Sequence, residues 1–319
     1  MRDFNYGDFR EESIACNLCG LKEFKRLAKR DHDGLKLSTV ICRKCGLIFI
    51  NPRMSKDGYR EYYQNEYRSK AALHGKSRLP NLEKMFNKGV NHGEELLNIA
   101  LPYVNLDGLT VEVGSSVGGI LYGMKKILKG EVIGVEPSET EANYANSKGV
   151  KTYISLIEDF ELKDKKLPKF SNIVCTQSLN HFLDPAYFFS WSYKNLVDSG
   201  RLIIEVMNFR HQAKKAGSLE GATHIDHPYM FTPEVLEDFL TSAGFDVLFF
   251  DVDEEKGRKI LSDQKNKKIP NTHIRAVAKK SSRPPFAELV IKSDNYQKGL
   301  KSLNKFKLYI DYLINYRFR

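Results

Sequence analysis

The sequence predicts an α/β fold in which a doubly wound, seven-stranded and mostly parallel sheet is covered by helices on both faces. Three observations favour this class. From Leu109 onward, short apolar runs alternate with segments of helical periodicity. The run at 111–113 breaks into a loop of small residues, which is typical of a buried strand that turns sharply into a helix. A length of 319 residues suits one large α/β domain with one or two small additions.

The elements of the predicted sheet follow from these patterns in chain order. Strands are predicted at 109–114, 131–135, 151–154, 172–176, 201–206, 245–250 and 273–278. Helices are predicted between them at 119–128, 139–147, 185–196 and 233–243. Before the last helix, Thr232 is a suitable N-cap and Pro233 suits the first helical position, while Gly244 is a suitable stop.

The chain divides into four predicted parts. Residues 1–69 form a small cysteine-containing module, and residues 70–100 comprise a polar linker followed by an amphipathic helix from about Leu82 to Ala100. Residues 101–280 hold the predicted sheet, and residues 281–319 form a helical extension. No apolar run approaches the ~18 residues of a membrane span, and no secretory signal is evident, so we expect a cytoplasmic protein.

Charge gives a weaker indication of partners. The chain carries 50 Lys and Arg against 40 Asp and Glu, a net charge of +10. An acidic partner such as a nucleotide, a nucleic acid or an anionic membrane surface is compatible with this excess. The basic residues are nevertheless spread along the chain, which is equally typical of a solvated basic surface.

Four of the five cysteines form two close pairs, Cys16 with Cys19 and Cys42 with Cys45, separated by 22 residues. Four thiolates bind Zn²⁺ tetrahedrally, and a segment this short has too small a core to fold without such help. A closed shell of four thiolates leaves no position for a substrate, so the predicted zinc is structural. The alternative is a module of four reduced cysteines that has lost its metal.

The C-terminal extension has a helical pattern with basic residues among its apolar positions. The apolar positions are Leu303, Phe306, Ile310, Leu313 and Ile314. Such a helix packs on its own protein or on a second copy in a homodimer. The alternative is peripheral contact with a membrane surface through a basic amphipathic helix.

The loop after the first predicted strand bears on the cofactor. A dinucleotide site requires G-x-G-x-x-G here. The loop at 114–119 instead reads G-S-S-V-G-G, with serine in place of the second glycine. This difference weakens the prediction of a nicotinamide cofactor without excluding it.

Five stretches together resemble class I S-adenosylmethionine-dependent methyltransferases, whose Rossmann-like sheet matches the predicted one. In chain order they are 111–120 (E/D-x-G-x-G-x-G), 134–138 (the acidic end of the second strand), 177–185 (x-x-x-E-H-x-x-D-P), 199–208 (G-x-L-x-I-x-x-P-N) and 243–245 (A-G-F). The cysteine pairs and the sequence C-x-x-C-G-L-x-F-x-N-P-R at 42–53 resemble the zinc-binding leader of a subgroup associated with sugar and surface-glycan pathways.

The resemblance implies which residues bind the methionine end of the cofactor. Gly114 and Gly118 let the backbone approach it closely, and Glu112 holds its ammonium group directly or through water. Ser116 stands where the family has a further glycine of this loop. We expect the serine to be tolerated if its φ angle is negative.

The nucleoside end of the cofactor is assigned in the same way. The resemblance implies that Glu136 accepts hydrogen bonds from the ribose hydroxyls, for which the two oxygens of a carboxylate are suited. It also implies that Asp159 accepts from the adenine amino group and that Gln177 lies beside the sulfonium.

Candidate catalytic residues are His181, His224, His227 and Tyr229. A hydroxyl or carbon acceptor must lose a proton when it is methylated, and histidine is the best general base near neutral pH. His181 follows the fourth strand, on the edge where such sheets bind ligands. Asn180 replaces the family's glutamate before this histidine, which bears on catalysis. Each of the four candidates has a structural role as its alternative.

The resemblance implies methylation, at oxygen or carbon, of a nucleotide-linked sugar or surface-glycan precursor, with a histidine as general base. The implied partner is this small-molecule or glycan acceptor. A tRNA or rRNA methyltransferase is an alternative favoured by the positive charge, but the chain lacks the Asn/Asp-Pro-Pro-aromatic sequence that grips a flipped base. A third alternative is a non-catalytic binding protein on a degenerate fold, and only Ser116 and Asn180 support it.

Overall fold

The computed structural model describes residues 11–65, 81–162, 166–252, 273–292 and 294–313. Its N-terminal elements are β1 (Glu11–Glu12), β2 (Phe24–Arg30), β3 (Lys36–Cys42), β4 (Ile48–Ile50), β5 (Arg53–Met54) and α1 (Lys56–Asn65). The remaining strands are β6 (Thr110–Val113), β7 (Val132–Glu136), β8 (Thr152–Ile154), β9 (Phe170–Thr176), β10 (Leu196–Met207), β11 (Tyr229–Met230), β12 (Phe245–Val252) and β13 (His273–Lys280).

The central sheet has the order β12-β13-β10-β9-β6-β7-β8. Strand β13 runs antiparallel to both of its neighbours, β10 and β12. All other neighbouring strands of this sheet are parallel. The seven-stranded, mostly parallel sheet predicted from the sequence is therefore confirmed. The direction of strand progression reverses between β6 and β9, and in doubly wound sheets ligands bind at the carboxyl edge beside such a point.

The helices of the second part of the chain cover this sheet and extend beyond it. They are α2 (Leu82–Ala100), α3 (Gly119–Met124), α4 (Glu139–Ser147), α5 (Pro185–Asn195), α6 (Phe209–Ala216), α7 (Pro233–Ser242), α8 (Asn295–Ser302) and α9 (Lys305–Tyr312). Thr232 occupies the N-cap position of α7, but its side chain makes no capping hydrogen bond. Among the described helices, none is long and apolar enough to cross a membrane.

Helix α3 ends at Met124, four residues before the predicted limit. Turns follow it as far as Leu128, whose amide donates to Met124 O at 2.9 Å, and the amides of Lys129 and Gly130 then donate to the carbonyl oxygen of Leu106, at 2.9 and 3.3 Å. Helix α6, which the sequence pattern did not reveal, begins where the Asn208 side chain accepts from the amides of Arg210 and His211.

A second sheet joins the N-terminal module to the rest of the molecule. Its order is β11-β4-β3-β2, so that Tyr229 pairs with Phe49 and Met230 with Ile48.

The C-terminal extension packs on this module as two helices, α8 and α9, rather than as one. Leu303 and Leu308 are buried in the same apolar cluster as Ile41 of β3, which places this part of the extension against its own chain. The last predicted apolar position, 314, lies outside the described residues.

Helices α2 and α3 approach so closely that their contact requires glycine. A Cβ atom on Gly93 would lie 2.1 Å from the carbonyl oxygen of Ile120, which is backbone and has little freedom to move. We expect Gly93→Ala to lower the free energy of unfolding by about 1–3 kcal/mol, as overpacking does, although alanine is the better helix former. Urea denaturation measures the effect. Asn91→Ala, at an exposed position of the same helix, is the control and should be neutral or stabilising.

Candidate cofactor, acceptor and metal sites

The four paired cysteines converge on one point. The Sγ atoms of Cys16 and Cys45 lie 3.4 Å apart, and those of Cys19 and Cys42 lie 3.5 Å apart. All four Sγ atoms lie within 4.8 Å of one another. Thiolates around a tetrahedral zinc, with bonds of about 2.3 Å, would be about 3.8 Å apart. The spacing in the structure is close to this value, so the donor set fits zinc.

The two cysteine pairs have the same backbone turn. In the first pair, the amide of Cys16 donates to Leu21 O at 2.9 Å and Gly20 N donates to Cys16 O at 2.8 Å. In the second, Cys42 N donates to Leu47 O at 2.9 Å and Gly46 N to Cys42 O at 3.0 Å. The fifth cysteine, Cys175, is separate from this cluster and lies in β9, where burial raises the pKa of its thiol.

The glycine loop after β6 lies against the end of β9. Gly114 has a φ of +76°, and a Cβ atom there would lie 2.3 Å from the Ser178 Oγ. Ser178 Oγ in turn donates to Gly114 O at 3.1 Å. Gly118, with a φ of +76°, begins α3. The predicted loop residues therefore lie at the carboxyl edge of the sheet, beside the segment that leads to His181.

Ser116 does not meet the condition of a negative φ, under which the serine was expected to be tolerated in this loop. Its φ is +47°, in the left-handed region that favours glycine. Two hydrogen bonds hold it there: its amide donates to Glu136 Oε2 at 2.8 Å, and its Oγ donates to Glu141 Oε2 at 2.6 Å. The serine thus adopts the glycine-like backbone of the family motif, and its hydroxyl is bonded to α4.

This backbone geometry makes a specific prediction. Because alanine is disfavoured at positive φ, we expect Ser116→Gly to be more stable than Ser116→Ala by about 1 kcal/mol, the reverse of the usual order. Both variants lose the hydrogen bond to Glu141, so the comparison isolates the backbone. Urea denaturation of the pair provides the measurement, and a more stable alanine variant would contradict the left-handed conformation.

Glu136 is buried at the end of β7, and the protein backbone fixes its carboxylate. One oxygen accepts from Ser116 N at 2.8 Å and the other from Ser138 N at 2.9 Å. These two bonds fix the orientation of the carboxylate. The loop after β6 and the end of β7 are thereby tied together.

Glu112 lies inside the sheet, on β6, with 1% of its surface exposed. One oxygen accepts from the hydroxyl of Thr176. Within the described part of the chain, its other oxygen has no hydrogen-bond partner. Burial raises the pKa of this carboxyl to about 8. A buried acid with an unpaired oxygen at this strand is suited to receive a positively charged or hydrogen-bond-donating group.

Gln177 and Asp159 are the other predicted cofactor residues. Gln177 directly follows β9 with a φ of +53°, and its side-chain amide donates to Glu205 Oε1 at 3.1 Å. Asp159 is exposed in a short 3₁₀ turn at Ile157–Asp159, after β8. Both residues follow strands on the edge of the sheet that carries the glycine loop.

A buried charged network lies behind Gln177, and sequence patterns gave no sign of it. Glu205 of β10 is fully buried, and its Oε2 accepts from Arg275 Nε of β13 at 2.7 Å. His92 Nε2 of α2 lies 2.9 Å from the other carboxylate oxygen. Burial opposes ionisation of Glu205, but the hydrogen bond and charge of His92 and the charge of Arg275 outweigh it and lower its pKa to about 2.

The predicted histidines form one connected group. The rings of His181 and His227 are 4.7 Å apart between centroids, and those of His227 and His224 are 5.1 Å apart. His32, from the turn between β2 and β3, lies 4.0 Å from His224 and was not predicted. His32 N donates to Thr223 O at 3.0 Å. The N-terminal module therefore contributes a side chain to this group.

Burial controls the ionisation of the group. It lowers the pKa of His227 to about 3, although the carboxylate of Asp226 opposes the shift. Burial, with the neighbouring His32 charge, also lowers the pKa of His224. The pKa of Asp226 is lowered by the three nearby histidines against its burial. His224 and His227 are therefore neutral near pH 7.

Tyr229 lies deeper than the histidines. Its ring stacks on Phe49, and Arg53 lies 5.9 Å from the ring centroid. The Arg53 guanidinium also donates to its hydroxyl at 3.4 Å, and burial raises the pKa of this hydroxyl. Of the four predicted catalytic residues, Tyr229 is the one whose surroundings fit a structural role best.

The strand order, with one antiparallel strand next to the edge of the sheet, and the glycine loop after β6 define a class I S-adenosylmethionine-dependent methyltransferase fold. Residues 91–248 match the model of a family described as a methyltransferase domain. The chain thus contains a methyltransferase domain of this class, and the protein is an S-adenosylmethionine-dependent methyltransferase.

Two solved structures are similar to this chain at low sequence identity. The plantazolicin methyltransferase BpumL in complex with SAH is 13% identical, with a TM-score of 0.50 over 70% of this chain and 94% of its own. An S-adenosylmethionine-dependent methyltransferase from Clostridium acetobutylicum ATCC 824 is 13% identical over 59% of this chain and 91% of its own, with a TM-score of 0.44. Among curated protein sequences, none matches this chain.

Proposed function

We propose that the protein methylates an oxygen or carbon atom of a sugar, carried on a nucleotide or belonging to a surface-glycan precursor, with a histidine as general base. The observation that supports this proposal most directly is the histidine group next to the glycine loop. Ser178 contacts Gly114, and His181 follows three residues later beside His227. A base therefore lies close to the loop proposed to bind the cofactor.

S-adenosylmethionine supplies an electrophilic methyl group, and the residues at the carboxyl edge fit its parts. We assign Glu112, Gly114, Ser116 and Gly118 to the methionine end, because the loop is tightly turned and Glu112 has an unpaired buried oxygen. We assign Glu136 to the ribose hydroxyls and Asp159 to the adenine amino group. Gln177 is placed beside the sulfonium, held there by its bond to Glu205.

The protein's own part in the reaction is to position the acceptor and remove its proton. As the new bond to the methyl carbon forms, the carbon–sulfur bond breaks with its electron pair on sulfur, and the acceptor's proton passes to a histidine. His227 is a weak base because its pKa is about 3. We therefore favour His181 or His224 as the base.

We also propose that Cys16, Cys19, Cys42 and Cys45 bind one structural Zn²⁺. The support is the convergence of four sulfur atoms with near-tetrahedral spacing and the matched turns around the two pairs. In this proposal, residues 1–69 form the zinc-binding leader and residues 101–280 the methyltransferase domain, joined through 70–100 and followed by 281–319. The zinc holds β3 and β4, which pair with each other, and β4 pairs in turn with β11, the strand after His227.

The sugar acceptor is supported by the sequence of the leader and by the chemistry of the site. The exposed edges of histidines and of Asp226 offer both donors and acceptors, which suit an acceptor rich in hydroxyl groups. An amine acceptor would need no base, because a neutral amine already carries a lone pair.

A screen of nucleotide sugars with isotopically labelled S-adenosylmethionine tests this function, followed by mass spectrometry of the product to locate the methyl group. We expect His181→Gln or His224→Gln to lower kcat by about 10²–10⁴-fold, the usual contribution of a general base. His211→Gln, on α6 and outside the histidine group, is the matched control. A product methylated on nitrogen would contradict the proposed chemistry.

A further inference from the structure

His181, Asp226 and His227 form a second group with the donor set of a metal site. Each offers one ligand atom, and these atoms all lie within 4.8 Å of one another. The group is separate from the four cysteines and contains no sulfur. The side chains of His227 and Asp226 are 12% and 16% exposed, so that the group is neither sealed in the core nor free in solvent.

The distances within this group are close to those around a bound ion. Two imidazoles that bind one ion in adjacent positions have centroids about 4.6–5.3 Å apart, given metal–nitrogen bonds of about 2.1 Å. The rings of His181 and His227 are 4.7 Å apart and nearly perpendicular, at 80°. His227 Nε2 and Asp226 Oδ2 are 3.8 Å apart, which is too long for a hydrogen bond but near the ~3.4 Å between two ligands of one ion.

A hydrogen bond fixes the orientation and tautomer of His181. Its Nδ1 lies 2.8 Å from the backbone carbonyl oxygen of Asp226, which can only accept. Nδ1 therefore carries the hydrogen, and in the neutral ring Nε2 carries the lone pair. Metal-binding histidines almost always have such a carbonyl or carboxylate partner on the other ring nitrogen.

We propose that His181, His227 and Asp226 bind one divalent transition-metal ion. Two histidines and one carboxylate leave coordination positions open, as in sites that bind substrate. The open positions hold an acceptor oxygen, with a vicinal diol as the best fit, and lower the pKa of its hydroxyl. This second part rests on the proposed methylation of a sugar, whereas ion binding does not. His224 then remains as the base beside the ion.

Titration with Co²⁺ tests ion binding on the full-length protein with zinc on its cysteines. Binding is followed by calorimetry and visible absorption. We expect one Co²⁺ per chain, with ligand-field bands and without a sulfur-to-cobalt charge-transfer band. His181→Gln and His227→Gln should each weaken binding by at least about 100-fold. His224→Gln is the matched control and should bind as the wild type does. The zinc content of every variant should stay at one per chain, which shows that the leader remains folded.

Three outcomes would overturn the site: no bound Co²⁺, Co²⁺ with a charge-transfer band from displaced zinc, or unchanged affinity in both ligand variants. The titration contains neither S-adenosylmethionine nor acceptor, so its result does not depend on the proposed function. Methyl transfer is then compared before and after a chelator removes the second ion. Activity that falls and returns with the ion supports its role in holding the acceptor, and unchanged activity rules out that role.

Discussion

Cys42→Ala is expected to abolish zinc binding and to unfold the sheet of the N-terminal module. A structural Zn²⁺ contributes about 10–16 kcal/mol to the folding of small zinc domains, far more than the small apolar core of this module can replace. Zinc content should fall from one ion per chain to none. Elemental analysis of the purified protein and the loss of β-structure by circular dichroism are the measurements.

The same substitution should lower methyl transfer, although Cys42 lies outside the histidine group. Strand β4 pairs with β11, two residues after His227, and His32 contacts Thr223. The loop that carries His224 and His227 therefore loses its support when the leader unfolds. Cys175→Ala is the control because this cysteine lies in β9, away from the cluster. Loss of zinc from Cys175→Ala, or full zinc content in Cys42→Ala, would contradict the assigned ligands.

The second large effect is a loss of stability, expected when the buried network of Glu205, Arg275 and His92 is broken. Arg275→Met leaves the fully buried carboxylate of Glu205 without its arginine, and breaking such a pair costs about 3–5 kcal/mol. The free energy of unfolding can be followed by the fluorescence of Trp191, the single tryptophan, which is buried. Lys279→Met, at an exposed position of the same strand, should change stability by less than about 0.5 kcal/mol.

The pH dependence of this effect has a definite sign. In the wild type the pKa of Glu205 is lowered to about 2, so its contribution to stability is present above the ordinary value of 4.5 and is lost as the pH falls toward 2. In Arg275→Met the pKa of the same carboxyl rises from this low value, because one of the groups that offset burial is lost while His92 remains. Glu205 therefore contributes less to the stability of the variant, and the difference in stability from the wild type should narrow as the pH falls from 4.5 toward 2.

The double variant Arg275→Met with Glu205→Gln separates charge from packing. An uncharged glutamine needs no arginine, so the double variant should be more stable than Arg275→Met alone. Its stability should also lose the part of the pH dependence that the Glu205 carboxyl contributes. If the single and double variants are equally stable at pH 7, then the buried charge is not the cause of the loss.

The sequence was sufficient for the central sheet because apolar runs, glycine turns and helical periods are local signals. Helix α4 was predicted at its observed limits, 139–147, since Glu139 begins a regular helical pattern after Pro137 and Ser138. The convergence of the four cysteines could also be predicted, because the spacing within each pair fixes a turn. The C-terminal end of α3 could not, because the turns that follow Met124 keep helix-like hydrogen bonds as far as Leu128, so that the sequence pattern does not separate them from the helix.

Contacts between distant segments explain what the sequence analysis missed. His32 and His224 are 192 positions apart and meet only because β11 joins the leader's sheet. Glu205, Arg275 and His92 come from two strands and a helix, and no short motif contains them. The positive φ of Ser116 could not be foreseen, because its amide and hydroxyl donate to Glu136 and Glu141, which follow 20 and 25 residues later, and these bonds hold it in place.

The pairing of β4 with β11 also sets an order of events during synthesis. The leader's cysteines and its first three strands leave the ribosome early and can bind zinc at once. The partner of β4 follows about 180 residues later, which takes about 10–40 s at about 5–20 residues per second. Throughout that interval β4 is an unpaired strand edge, open to pairing with another nascent chain. Early zinc binding would therefore leave the leader folded but incomplete, and most exposed to misassembly, until the methyltransferase domain is nearly finished.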